Sequence, residues 1–378
     1  MRITFVLPDF PRVPMGGYRV VYEYANRLAF RGHQVSVVHP RRLVVSRPRN
    51  PYRWVRRTGA RFLDALFPPD VEWQAIERRV RMLYVPDLQP RYVPEADAVF
   101  ATAWQTAEYV AEYPASKGRK FYLVMDFDPW LGPKDRLEAT WRKPFEKVTI
   151  SRWLYERVCS AEGSQRNTIN IPIGIDHQRF RLTAAIDTRP KGAAMFFGLG
   201  SYKAPGDGIA ALEIAKRHYP AMGVTIFGQS NQKPDNVPSW VSYRGTVSER
   251  DLIAIYNSSS IFVCSSLAEG FAYPPAEAMA CGCAVASTDC GGIREFADHE
   301  VTALLSPPRD PEALARNVIR LLDDDELRRR LAVAGHERIQ VFTWRRSADQ
   351  LEQFIRKEIS REARGSTGAA VTVDGAEL

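Results

Sequence analysis

Short apolar runs, each followed by a Gly or Pro turn and then an amphipathic stretch, recur along both halves of this 378-residue chain. Runs of this length, rich in Val, Ile and Phe, read as strands buried on both faces, and such strands need helices to cover them. The first half gives strands at 3–7, 34–38, 98–102, 120–125 and 148–151, and the second at 193–198, 223–228, 260–266 and 283–288. Between the first two lies GGYRVVYEYANRLAFRG, whose Val20, Val21, Tyr24, Ala25 and Leu28 fall at helical spacing before Gly32 closes the turn. DGIAALEIAKRH, EALARNVIRLL and ELRRRLAVAG read as helices of the second half. Strand–helix alternation in both halves predicts an α/β protein of two Rossmann-like domains facing across a cleft.

The expected boundary lies in INIPIGIDHQRF, where a β-type run meets Pro172 and Gly174. We therefore expect an N-terminal domain over 1–172, a C-terminal domain over 173–345, and a last helix, 346–363, crossing back to the first domain. A tail over 364–378, poor in large apolar groups, is expected to be disordered. No apolar run approaches the roughly 20 residues that span a bilayer, and MRITFVLPDF is too soon interrupted for a signal peptide, which points to the cytoplasm. The five cysteines show no C-x-x-C pairing and read as reduced core thiols.

The net charge of +8 is unevenly spread: Arg41 to Arg61 holds eight arginines and no acid. Trp54, Phe62, Leu66 and Phe67 follow at intervals, so residues 41–67 read either as a solvated face or as a peripheral contact with the inner membrane face. No nucleic-acid-binding motif accompanies the patch, and nucleic acid is not expected as a partner.

The stretch EGFAYPPAE, residues 269–277, places Glu269 in a loop after a strand and Glu277 just inside the helix that its two prolines introduce. Ligands of open α/β sheets bind beyond the carboxyl ends of the strands, where this loop sits. Amides at the helix start favour a diphosphate, and the glutamates are good acceptors for sugar hydroxyls. A phosphate-friendly helix end between two hydroxyl acceptors fits a nucleotide sugar. Glu277 is expected in the first turn of that helix and, taken alone, reads more readily as an acid complementing the helix dipole.

The segment EGFAYPPAEAMACGCAVASTDCGGIREF resembles the donor-site motif of glycosyltransferase family 4, retaining enzymes of GT-B fold. MGGYRVVYEYANRLAFRGHQVSVV is similar to that family's N-terminal glycine loop, IPIGID to its interdomain crossing, and GTVSERDLIAIYNSSSIFVCSS to its approach to the motif. YLVMDFDPW and KVTISRWL are similar to a bacterial branch that includes rhamnosyltransferases. The resemblance implies that Glu269 contacts donor-sugar hydroxyls, with the amides of Gly270, Phe271 and Ala272 around sugar and phosphates. It implies that Glu277 binds the ribose, that Gly16 and Gly17 admit the pyrophosphate to the first βα turn, and that Lys203 neutralises the leaving diphosphate. The chain departs from the family at Gly198, where an arginine is usual; Arg244 and Arg152 are candidate substitutes.

Asp126 and Asp128 form a D-x-D pair, which in another glycosyltransferase fold holds a metal. The preferred reading makes them strand-end acids facing the crevice, Asp126 first as a group touching sugar or acceptor. No metal or other cofactor is expected, the nucleoside-diphosphate sugar being a co-substrate. The resemblance thus implies a retaining, metal-independent transfer of a sugar, a deoxyhexose such as rhamnose among the candidates, to an acceptor hydroxyl. The donor base (dTDP, UDP or GDP) and the acceptor (glycan, lipid-linked glycan or natural-product aglycone) stay open. The competing readings are a nucleotide-sugar epimerase of the same fold and a non-catalytic, membrane-associated sugar-nucleotide binding protein.

Overall fold

The structure, a computed structural model, describes residues 1–11, 13–41, 43, 71–127 and 134–368, the side chains of 362–368 excepted. Asp128 and most of the basic stretch 41–67 lie outside the described residues.

Two wholly parallel sheets account for the alternation. The first is built from β1 (Arg2–Val6), β2 (Gln34–Pro40), β3 (Arg81–Val85), β4 (Ala98–Ala101), β5 (Arg119–Val124), β6 (Glu146–Thr149) and β7 (Thr168–Asn170). Its spatial order is β3-β2-β1-β4-β5-β6-β7, so the winding reverses between β1 and β4. Helix α1 (Gly16–Phe30) buries Val20, Val21, Tyr24, Ala25 and Leu28 against it, and Gly32 takes φ +86° just past its end. The helices α2 (Trp104–Ala111), α3 (Lys134–Trp141) and α4 (Arg152–Glu162) follow in the same domain.

The second sheet contains β8 (Gly192–Phe197), β9 (Gly223–Gly228), β10 (Ser242–Tyr243), β11 (Ile261–Cys264), β12 (Ala284–Thr288) and β13 (Leu304–Ser306), in the order β10-β9-β8-β11-β12-β13. Here the winding reverses between β8 and β11. Each reversal opens a crevice at the carboxyl ends of two adjacent strands, because the connections leave them in opposite directions. The helices are α5 (Pro205–His218), α6 (Glu249–Ser258), α7 (Tyr273–Ala280), α8 (Pro311–Asp323) and α9 (Asp325–Ile339).

The last helix, α10 (Trp344–Gly368), passes the expected end at 363 and continues into the stretch taken for a tail. Its start is fixed by contact with the crossing segment: a Cβ on Gly174 would lie 2.1 Å from the Trp344 amide nitrogen, so only glycine fits. The Ser347 hydroxyl donates to the Pro172 carbonyl at 2.6 Å. Farther along, α10 meets the N-terminal domain, where Arg31 bonds Asp349 at 2.5 Å and Glu352 at 2.9 Å. All five cysteines are buried free thiols. No described helix is long and apolar enough to cross a membrane.

Candidate functional site

The reversal between β8 and β11 brings together two loops far apart in sequence. Lys203 ends the short turn after β8, and Glu269 lies in the loop after β11. Their side chains form a 2.6 Å ion pair, and the Ser266 hydroxyl donates to the same carboxylate oxygen at 2.6 Å. Both side chains are mostly buried, at 16% and 11% exposure. Burial pushes the Lys203 ammonium down, but the Glu269 charge and hydrogen bond, with Tyr202, outweigh it and hold the pKa well above the ordinary lysine value.

The Glu269 backbone is held on both sides. Its amide donates to the Cys290 carbonyl at 2.8 Å, and its carbonyl accepts from Gly292 at 3.0 Å. The Leu267 amide donates to the Tyr202 carbonyl at 2.7 Å, joining the lysine loop to the glutamate loop through main chain. This is a rigid support, and it needs no side chain.

Gly198 explains the lysine pose. A Cβ there would sit 2.5 Å from Lys203 Cγ, so the lysine stem occupies the space a side chain at 198 would take. The candidate substitutes for an arginine at 198 lie elsewhere. Arg244 is exposed at the end of β10. The Arg152 guanidinium bonds Glu156 on the α4 surface at 3.2 Å, while its amide donates to Glu295 of the other domain at 2.6 Å.

The prolines shape the helix start differently from expectation. Helix α7 begins at Tyr273, with Pro274 and Pro275 as its second and third residues, so Glu277 lies past the first turn. Those prolines also remove two of the amides a helix N-terminus would offer to phosphate. Ala272 precedes the helix at φ +70°, a left-handed conformation costing a non-glycine residue about 1 kcal/mol or more. The Phe271 ring packs on Tyr273, Phe296 and Phe342 and fixes this turn to the core.

Glu277 is buried, at 6% side-chain exposure, which removes it from the role of a solvated acid complementing the helix dipole. Its carboxylate meets Arg19 of α1 at 2.7 Å and accepts from the Tyr256 hydroxyl at 3.3 Å. Burial raises its pKa, and the Arg19 charge, the hydrogen bonds from Arg19 and the Tyr256 hydroxyl offset only part of that.

The N-terminal domain closes directly over this region. A Cβ on Gly270 would fall 1.9 Å from the Met125 carbonyl oxygen at the end of β5. One on Gly291 would fall 2.5 Å from the Trp153 ring. Gly16 faces the Tyr273 ring and Gly17 the Met125 side chain, at 3.4 and 3.6 Å from where a Cβ would stand. Asp126 is exposed one residue past Met125, at the rim of the same contact. Among the described residues, no group of three or more His, Cys, Asp or Glu side chains is arranged to hold a metal ion.

Arg19, Ser266, Met125 and Glu295 escaped the sequence reading. Only Arg19 carried a signal: a lone cation one turn into a helix whose next five residues are VVYEY. Ser266 and Glu295 sit in loops whose proximity only the sheet order creates.

The chain is similar to known proteins in part of its sequence and in its fold. Residues 201–338 match the family model described as glycosyl transferases group 1. A phosphatidyl-myo-inositol mannosyltransferase of Mycolicibacterium smegmatis is 25% identical over 403 residues, covering 100% of this chain and 97% of the relative. The Mycobacterium tuberculosis protein of the same description is 26% identical over 380 residues, 93% of this chain and 95% of its own. Among solved structures, Anabaena HepE in complex with UDP-glucose superposes with TM-score 0.70 at 16% identity over 94% of this chain and 100% of its own. Sucrose-phosphate synthase from Thermosynechococcus elongatus gives 0.69 at 19% identity, over 95% and 99%. The two-domain architecture is therefore shared with these solved structures, and the segment matching the group 1 model contains Lys203, Glu269 and Glu277.

Proposed function

We propose that this glycosyltransferase, whose residues 201–338 form a group 1 domain, binds its nucleotide sugar between Lys203, Glu269 and Glu277 of one domain and the Gly16–Gly17 turn of the other. The observation that carries the reading is the 2.6 Å meeting of Lys203 with Glu269 at the reversal of the second sheet. An ammonium and a carboxylate side by side present what a sugar diphosphate needs: a cation for the leaving group and an acceptor for hydroxyls.

In this reading, the donor separates the pair. Lys203 turns to the diphosphate, and Glu269 takes the sugar hydroxyls with Ser266 still bonded to it. Negative charge builds on the departing diphosphate, and preorganised cations stabilise it in place of a metal. Attack comes from the face the diphosphate leaves, with its oxygen taking the acceptor proton, so configuration is retained. The closeness of Gly270 to Met125 supports a closed state that keeps water from the activated sugar. Arg244 and Arg152 lie outside the pair, leaving Lys203 to carry the charge that an arginine at 198 would share.

Relatives acting on phosphatidyl-myo-inositol support a manno-configured hexose as donor sugar and a lipid-linked or inositol-bearing acceptor at a membrane face. The stretch YLVMDFDPW supports the deoxyhexose rhamnose as the second donor to test. The test is donor turnover with GDP-mannose, UDP-glucose and dTDP-rhamnose, each with and without EDTA, after thermal-shift ranking of GDP, UDP and dTDP. Transfer by one donor, undiminished by EDTA and lost in Glu269→Ala, is expected. Failure of all three nucleotides to bind at millimolar concentration overturns the reading.

A further inference from the structure

Among the described residues, Arg19 is the one charged group of the N-terminal domain that reaches the buried glutamate of the donor motif. It belongs to α1, one turn past Gly16, and its guanidinium lies 5.5 Å from the ring centres of both Phe180 and Tyr273. At 20% side-chain exposure it meets Glu277 at 2.7 Å. A guanidinium held by two aromatic faces costs little further entropy when it binds a carboxylate. A buried ion pair is a poor source of stability, since both charges lose their water, but removing one partner leaves the other stranded. The pair therefore asks for another explanation than folding.

We infer that Arg19 is a positioning residue: supplied by the opposite domain, it holds the Glu277 carboxylate in place as the ribose acceptor, so nucleotide recognition depends on the two domains being together. The inference rests on the reading of Glu277 as the ribose ligand. Each carboxylate oxygen has a second lone pair beyond those used by Arg19 and Tyr256, so a ribose diol can bind without displacing either. When the domains part, Arg19 leaves with α1 and Glu277 remains among apolar groups with only a neutral phenol. A carboxyl so placed takes up a proton and loses its charge-assisted acceptors.

The groups facing Glu277 are consistent with this. From α1 it meets Arg19, from α6 the Tyr256 hydroxyl and, more remotely, Glu249, and at the two ends of its own helix Tyr273 and Cys281. Helix α9 brings His336 against the Ala280 carbonyl at the other end of α7. Arg19 is thus the only cation at hydrogen-bonding distance among the described residues.

The test compares wild type, Arg19→Met, Arg19→Lys, Glu277→Gln and the Arg19→Met/Glu277→Gln double variant. Affinity for whichever of UDP, GDP and dTDP the wild type binds best is measured by calorimetry from pH 6 to 8.5, alongside kcat and donor KM. Arg19→Met should weaken binding about tenfold at neutral pH, the worth of one charge-assisted hydrogen bond. The deficit should widen towards pH 6, raising donor KM more than it lowers kcat. Arg19→Lys should recover part of the loss, and the double variant should bind no worse than Glu277→Gln. If Arg19→Met binds like wild type across the range while Glu277→Gln is weakened, the inference is wrong and the donor site stands. If Glu277→Gln itself binds like wild type, the ribose assignment falls first. Should Arg19→Met fail to fold, Arg19→Gln, which keeps a hydrogen-bond donor without the charge, decides: an affinity and pH profile identical to wild type overturn the inference.

Discussion

Gly270→Ala tests the closed arrangement with one methyl group. The added Cβ would stand 1.9 Å from the Met125 carbonyl oxygen, where ordinary contact begins at 3.4 Å, a shortfall of about 1.5 Å. The obstacle is main chain of a β5 strand end, so no rotamer change relieves it; the domains must separate locally or the Glu269 loop must shift. That loop is tied to Cys290, Gly292 and Tyr202 by backbone bonds, which makes separation the cheaper response. Misplacement of reacting groups by about 1 Å costs on the order of a hundredfold in rate, or about 2.7 kcal/mol of barrier. One buried apolar cluster runs from the first sheet into Phe271, Ala272 and Phe296 of the second domain, so the separation should also cost about 1 to 3 kcal/mol of thermal stability. Gly223→Ala, which meets nothing within 4 Å, is the matched control. Steady-state transfer and a small-angle scattering profile of the donor-bound enzyme are the measurements. A Gly270→Ala enzyme with kcat within twofold of wild type and an unchanged bound profile would refute the claim that this contact belongs to the catalytic state.

Lys203→Ala should lower kcat by about a hundred- to a thousandfold, as removal of a preorganised charge at a developing anion does, with nucleotide still detected by calorimetry. Gly174→Ala should destabilise by about 3 kcal/mol in a denaturant titration, since its Cβ meets only main chain of residues 343 and 344. Glu352 gives a pH signature: although partial burial alone raises a carboxyl, Arg356, Arg31 and His33 bond to it and bring it down to about 2. Its contribution is present above the unfolded value of about 4.3 and is lost as pH falls through about 2. Glu352→Gln should therefore cost about 1 to 2 kcal/mol at pH 7, after solvent screening, and close to nothing near pH 2 in urea melts.

Most strands were legible because a strand buried on both faces must be apolar throughout, which is a local property. β8, β9, β11 and β12 lie within a residue or two of their expected positions. The missed strands are marginal by the same criterion. β3 carries Arg81 and is mostly only half buried, β10 has two residues and β13 three, while β7, also of three, is the β-type run read before Pro172. Edge strands face solvent on one side and lose the continuous apolar signature. The start of α7 was misjudged by a residue because proline is tolerated at its second and third positions as well as its first, which moved Glu277 past the first turn.

The sequence alone determined the alternation, the two half-chains and the identity of the acids at 269 and 277, since hydrophobic period and turn chemistry act over a few residues. The partners of those acids are tertiary facts. Lys203 stands 66 residues from Glu269, and Arg19 stands 258 from Glu277. No local preference encodes such meetings: they follow from where each sheet reverses its winding and from how closely glycines at 270 and 291 let the second domain approach the first.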